Sequence, residues 1–142
     1  METRRSTSGY ICMINGGPSS WSLKRQTTVS TSTCEVEFKA GTPAAKEVTW
    51  MRTLLYELGV LHQHHPMTIF TDSQSAQALA ENLVHHNRSK HIDIQYYYLR
   101  EEVTSGRINL LYTNTNNMVA DGLTKPLGSI KFITFLKQIN ML

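Results

Sequence analysis

Long apolar runs are absent from this sequence. No stretch of about 18 apolar residues, the length a spanning helix needs, occurs in it, so a membrane segment is not expected. The amino-terminal Met-Glu-Thr-Arg-Arg-Ser-Thr-Ser-Gly carries no apolar h-region, so no secretory signal is expected either. Cysteine is scarce. The two present, Cys12 and Cys34, are far apart and show no metal-type spacing, which suits structural thiols in a reducing intracellular compartment, cytoplasm or nucleus. With 4 prolines and 8 glycines there is no collagen-like pattern, and no internal repeat or low-complexity linker appears. Charge of one sign is only slightly in excess: the formal net charge is +3 and the pI about 9.0. That balance permits a polyanionic partner without requiring one.

What is present is core material. The 142 residues are 40% hydrophobic and 18% charged, the profile of one ordinary globular domain. Tyr10 to Ile14 reads as a strand that stops at Asn15-Gly16-Gly17-Pro18, a hairpin signal because both turn positions tolerate positive φ. The return strand carries Trp21 and runs through Lys24 to Val29. Ser32-Thr33-Cys34-Glu35 fits a capping box, followed by Val36, Ala40, Ala44, Val48, Met51, Leu55 and Leu58 at helical spacing, with Gly59 as the stop. Gly41 and Pro43 predict a kink or a broken first turn in this helix, since an interior Pro costs about 3 kcal/mol and Gly about 1.

Farther along, Pro66 to Thr71 reads as a buried strand ending at Asp72, and Ser73-Gln74-Ser75 caps a helix through Leu83. A basic connector from Val84 to His91 precedes a helix with Ile92, Tyr96, Leu99 and Val103 on one face, ended by Ser105-Gly106. Ile108 to Tyr112 is the next strand, Asn114 to Asn117 a loop, and Met118 to Asp121 the start of a short helix that Pro126 stops. Ile130, Ile133, Phe135, Leu136 and Ile139 predict a last amphipathic helix. The fold class read from this order is mixed α/β.

Three carboxylates stand out by placement: Glu37 in the first turn of the long helix, Asp72 at a strand end and Asp121 at a short helix start. Carboxylates that meet at one end of a sheet can hold Mg²⁺. A pair of such ions about 3.5–4 Å apart clamps both oxygens of a phosphodiester displacement. Taken singly, each is equally well an acid that complements a helix dipole. His62, His64 and His65 cluster before Pro66 but lack further ligands at tetrahedral-site spacing, and they read as a solvated loop. His85, His86 and His91 stand beside Arg88 and Lys90, where a phosphate-facing surface and a plain solvated face are both open readings. Tyr96-Tyr97-Tyr98 could stack bases, but a helix turns them onto different faces, so at least one belongs to the core. No Gly-x-Ser-x-Gly and no P-loop motif occurs.

Taken in order, Arg4 to Tyr10, Asn15 to Pro18 with Trp21, Ser32 to Phe38, Ala44 to Glu47 with Trp50, Leu54 and Leu55, Thr71 to Ala76, Ser89 to Ile94 and Ala120 to Leu127 cover nearly the whole chain. This series resembles the ribonuclease H domain of copia-type retrotransposon Pol polyproteins. The resemblance implies a ribonuclease-H-like fold, a mixed five-stranded sheet flanked by helices, and Mg²⁺-dependent hydrolysis of the RNA strand of an RNA–DNA hybrid. It implies that Glu37, in Glu37-Phe38-Lys39-Ala40, and Asp72 and Asp121 are catalytic and metal-binding, with Glu35 a weaker match than Glu37. Lys24, Arg25, Arg88, Lys90, His91 and Lys125 are the expected nucleic-acid contacts. The implied partners are the hybrid, or another nucleic acid, and the reverse transcriptase portion of a parent polyprotein.

The resemblance also implies a first catalytic Asp on a central strand upstream of Arg4-Arg5-Ser6, and these residues do not contain it. The expectation is therefore a ribonuclease-H-like domain over residues 1–127, incomplete at its start, with a carboxy-terminal amphipathic helix over 128–142. An incomplete acidic set implies impaired hydrolysis. The competing expectations are a non-catalytic nucleic-acid-binding remnant and an unstable product of a truncated reading frame. Losing the central strand would leave strand edges open to another chain.

Overall fold

The hairpin forms where Asn15-Gly16 asks for it. The structure, a computed structural model, describes residues 7–26, 33–62, 65–74, 77–78 and 90–142, without the side chains of 33–40, 90–93 and 95. Strand β1 (Thr7–Ile14) and strand β2 (Gly17–Arg25) pair antiparallel around that turn. Asn15 and Gly16 both have positive φ, 50° and 80°, the pair of values a tight primed turn needs. A bulge follows, with Cys12 opposite Ser20 and Met13 opposite Pro18; the Ser19 hydroxyl donates to the Cys12 carbonyl at 3.1 Å. The expected continuation of β2 to Val29 and the capping side chains at Ser32 to Glu35 lie outside the described residues.

Helix α1 (Thr33–Glu57) runs without a break through Gly41 and Pro43, so of the expected kink or broken first turn the break does not occur. The reason is burial. Thr42, Ala44, Ala45, Val48 and Met51 are all buried, and Ala45 is fully inaccessible. Gly41 sits where a Cβ would touch Leu99 at 3.4 Å, so its smallness lets a second helix approach. Packing on this scale offsets the local cost of one proline. Leu58, expected on the core face, lies beyond the helix end and is exposed.

Strand β3 (Met67–Thr71) and strand β4 (Ile108–Tyr112) form a parallel pair, with Ile69 opposite Leu110. Helix α2 (Lys90–Thr104) leads into β4. Both long helices end in the same capping geometry. Gly59 and Gly106, each at φ 74°, donate to Tyr56 and Val103, and the residues after them, Val60 and Arg107, donate to Leu55 and Glu102. A short helix α3 (Asp121–Thr124) and a last helix α4 (Ser129–Gln138) complete the described elements. The expected helix after Asp72 is described only at Gln74, Gln77 and Ala78, and the basic connector with Arg88 is outside the described residues.

The core joins β1, α1, α2 and β4 through Cys12, Ala45, Val48, Met51, Leu99 and Ile108. Tyr96 and Tyr98 pack against it while Tyr97 is exposed, as the helical turn required. Helix α3 lies over β1, where Thr124 Cγ2 would stand 3.1 Å from a Cβ at Gly9. Helix α4 buries Phe135, and Ile139 just after it is also buried, but Ile130 and Ile133 are exposed, so only part of the apolar stripe is used. The Phe135 ring lies so close to Gly122 that any Cβ there would overlap it. Asn140 donates to the Gly16 carbonyl at 2.6 Å, tying the carboxy-terminal segment to the hairpin turn.

Among the described residues the strands form two separate two-stranded ladders, β1–β2 and β3–β4. The mixed α/β arrangement is compatible with a ribonuclease-H-like fold that lacks one strand. Between the ladders lies a slot of about 470 Å³, lined by Gly9 to Met13 on one side and Met67 to Thr71 on the other, with Ala44, Val48 and Met51 beneath.

Candidate functional site at the gap in the sheet

Two of the expected acids directly follow residues that line this slot. Thr71 closes β3, is buried, and its hydroxyl accepts from the Ser73 N–H at 3.2 Å, which shapes the turn carrying half-buried Asp72. The Thr71 carbonyl accepts from Thr113 at 2.8 Å, extending the parallel ladder one step beyond β4. Asn114 then caps a single tight turn at Thr115–Asn117 through a 3.0 Å bond from the Asn116 N–H, which sends the chain back. Met118, Val119 and Ala120 return to the slot lining beside Thr71 and Thr113. Asp121 follows as the first residue of α3. Asp72 and Asp121 are thus each one residue beyond a lining position of the same cavity.

Glu37 lies in α1, one helical turn before Gly41, which also lines the slot; its side chain is outside the described residues. Asp121 Oδ2 accepts from Lys125 Nζ at 2.6 Å, a partly exposed i,i+4 ion pair. Lys125, expected to meet phosphate, is therefore bonded to an expected metal ligand. Lys24 and Arg25 are exposed at the end of β2, opposite Ser8 and Thr7. Lys90 and His91 open α2 with side chains outside the description, and Arg88 lies outside it altogether. His62 and His65 are exposed, as a solvated loop requires, and His64 is outside the described residues. Among the described residues no group of three or more His, Cys, Asp or Glu could hold a metal ion. None of the described helices is long and apolar enough to cross a membrane.

Two polar clusters have no counterpart in the sequence reading. Glu47, from α1, accepts a 2.7 Å bond from the Ser20 hydroxyl of β2. Burial and then the Glu47 charge push the Cys12 thiol up to about 11, and the same two causes raise Tyr10. A raised thiol pKa means less thiolate at any given neutral pH. In a Cys34→Ser background, Cys12 is expected to alkylate at pH 8 about 100-fold more slowly than an ordinary thiol, the rate rising about tenfold per pH unit. Stopped alkylation read by intact mass checks this, and a rate levelling off near pH 9 would contradict it. The second cluster is Glu102, buried on α2, held by Arg107 Nε and Nη2 at 2.9 and 2.8 Å. Thr49 Oγ1 of α1 approaches Glu102 at 3.4 Å and accepts from the Tyr98 hydroxyl at 3.3 Å. The helix cap explains the pair, because it folds Arg107 back over Glu102. An acid three residues after core Leu99 was the available sequence signal.

A mixed α/β domain with small sheets and several helices is the class these features define. The chain is related to one stretch of retrotransposon Pol polyproteins. It is 37% identical over 137 residues, 96% of its length, to the retrovirus-related Pol polyprotein from transposon RE2 of Arabidopsis thaliana, of which it covers 9%. It is 41% identical over 132 residues, 93% of its length, to the counterpart from transposon TNT 1-94 of Nicotiana tabacum, of which it covers 10%. The Arabidopsis transposon RE1 polyprotein is 38% identical over 136 residues, 96% of this chain and 9% of that one. The chain spans about a tenth of the length of these curated relatives. No protein-family profile matches it, and no solved structure matches it significantly.

Proposed function

We propose that this chain is the ribonuclease H segment of a transposon Pol polyprotein and that its substrate is the RNA strand of an RNA–DNA hybrid. The observation that supports the reading is a shared neighbourhood along the chain. Residues adjoining Asp72 and Asp121, and Gly41 one turn from Glu37, line a single cavity. Kinship with retrovirus-related Pol polyproteins supports it.

The donor set suits Mg²⁺, which takes oxygen ligands and keeps several waters beside open space. Glu37, Asp72 and Asp121 would hold it, with Lys125 giving up its bond to Asp121. When bound, the metal neutralises phosphodiester charge and lowers the pKa of water. The chain's own part is positional: Asp72 follows the end of β3, and Asp121 opens α3. Lys24, Arg25, Arg88, Lys90, His91 and Lys125 supply phosphate contacts, so hybrid affinity falls steeply as salt rises.

The test is a hybrid with its RNA strand end-labelled, incubated with the purified chain. The expected result is slow cutting of RNA and not DNA, requiring Mg²⁺ or Mn²⁺, stopped by EDTA and absent in Asp72→Asn. Salt-sensitive hybrid binding with no cutting in either metal would overturn the catalytic reading in favour of a non-catalytic nucleic-acid-binding segment.

A further inference from the structure

We infer that Asn15 is a site of spontaneous covalent modification, deamidation to aspartate and isoaspartate, and that the isoaspartate form releases the carboxy-terminal segment from the hairpin. The inference does not depend on the proposed activity. It rests on two asparagines that meet at the hairpin tip. Asn15-Gly16 is the single Asn-Gly pair of the sequence. Both residues are exposed, so water and base reach them. Gly16 has no side chain to shield its amide nitrogen from the neighbouring Asn15 side chain. The other asparagines lack this access: Asn109 is followed by Leu110, Asn114 by Thr115 and Asn140 by Met141.

The step needs no co-reactant except water. The Gly16 amide nitrogen gives its proton to base and attacks Asn15 Cγ. The N–Cγ bond forms, the Cγ–Nδ2 bond breaks, and Nδ2 leaves as ammonia, so a succinimide ring remains. Water then opens the ring. Opening at Cγ gives aspartate on an unchanged main chain. Opening at the backbone carbonyl gives isoaspartate, whose main chain runs through the former side chain and is one methylene longer. Either product adds a negative charge, and nothing is oxidised or reduced.

The second asparagine gives the modification its consequence. Asn140 follows α4 at φ 54°, and its N–H and that of Met141 donate to Lys137 and Leu136 at 3.1 and 2.9 Å, a left-handed helix cap. From that cap its side chain donates to the Gly16 carbonyl at 2.6 Å. A Cβ at Gly16 would stand 2.8 Å from the same nitrogen, so the approach also depends on glycine there. The tether fits one conformation of the tip, with φ 50° at Asn15 and 80° at Gly16. A two-residue turn has no slack, so an extra methylene at residue 15 carries the Gly16 carbonyl away from Asn140. The bond also acts in the other direction. It holds Gly16 in place while the attacking nitrogen must swing toward Cγ, so Asn140 slows the reaction.

The purified chain, warmed at mildly alkaline pH and sampled over time, tests this by peptide mass mapping and an isoaspartate assay. The Asn15 peptide is expected to gain one mass unit before any peptide holding another asparagine, partly as isoaspartate. Asn140→Ala is expected to speed this about fivefold, the ratio set by one hydrogen bond. Asn15→Gly keeps the turn and has no amide to lose, so it should stay unmodified. In the isoaspartate chain the amides of Asn140 and Met141 are expected to exchange hydrogen about fivefold faster. In Asn15→Gly treated in the same way they should keep their protection. An Asn15 that changes no faster than Asn109, held within β4, would overturn the site. An unchanged rate in Asn140→Ala would overturn the role of Asn140. Unchanged exchange at Asn140 and Met141 in the isoaspartate chain would overturn the release.

Discussion

Asp72→Asn is expected to lower metal-dependent cleavage of the hybrid by about 10³-fold, to background, while leaving the fold intact. Under the proposed function the carboxylate is a metal ligand, and metal stabilisation of developing phosphate charge is worth several kcal/mol, about 4 of which make 10³-fold in rate. The amide keeps the shape of the side chain and removes its charge. Asp72 is half-buried in the turn after β3 and takes no part in the core cluster, so the melting temperature should move by no more than about 2 °C. Asp121→Asn is the companion. It removes the same kind of ligand and also the ion pair to Lys125, an exposed i,i+4 contact worth about 0.3–0.5 kcal/mol. Both are read by end-labelled cleavage beside thermal melting. An Asp72→Asn chain that cuts with undiminished rate and the same metal requirement would remove Asp72 from the site.

Arg107→Leu is expected to cost about 3 kcal/mol of stability and about 10 °C of melting temperature. The Glu102 side chain is only 7% exposed, and the guanidinium gives it two short charge-assisted bonds. Removing the cation strands a carboxylate between α1 and α2 whose remaining contact is the long one from Thr49. The guanidinium is itself 39% exposed, so water can partly replace it, and the lower end of the range for a broken buried pair applies. The double variant Glu102→Leu with Arg107→Leu is expected to recover most of the loss, because no buried charge is left behind. Thermal and urea unfolding of the wild type, the single variant and the double variant check this. A single variant within about 1 °C of the wild type would show that the pair carries no structural weight.

The legible parts of the sequence were those fixed by neighbours along the chain. Asn15-Gly16 encodes the hairpin because positive φ is a property of those two residues. Gly106 encodes the end of α2 for the same reason. Leu99 and Ile108 stood on readable apolar faces and are buried. The strand end at Thr71 placed Asp72 correctly, since the polar residues after it break the strand. The proposed acids were legible only through motif resemblance, because each carboxylate taken alone equals any surface acid. Of the kink or broken first turn that Gly41 and Pro43 predict, the break is absent, because burial on either side keeps α1 continuous.

The sequence by itself therefore determined most of the described elements and their order, which depend on residues within a few positions of one another. Only the tertiary structure decided what faces what. It set Thr49 beside Glu102, Ser20 on Glu47, Glu47 beside Cys12 and Asn140 on the Gly16 carbonyl. It also left the two ladders apart with a slot between them. The physical reason is that strand pairing and charge desolvation are settled between segments distant along the chain, where packing rather than local propensity sets the free energy.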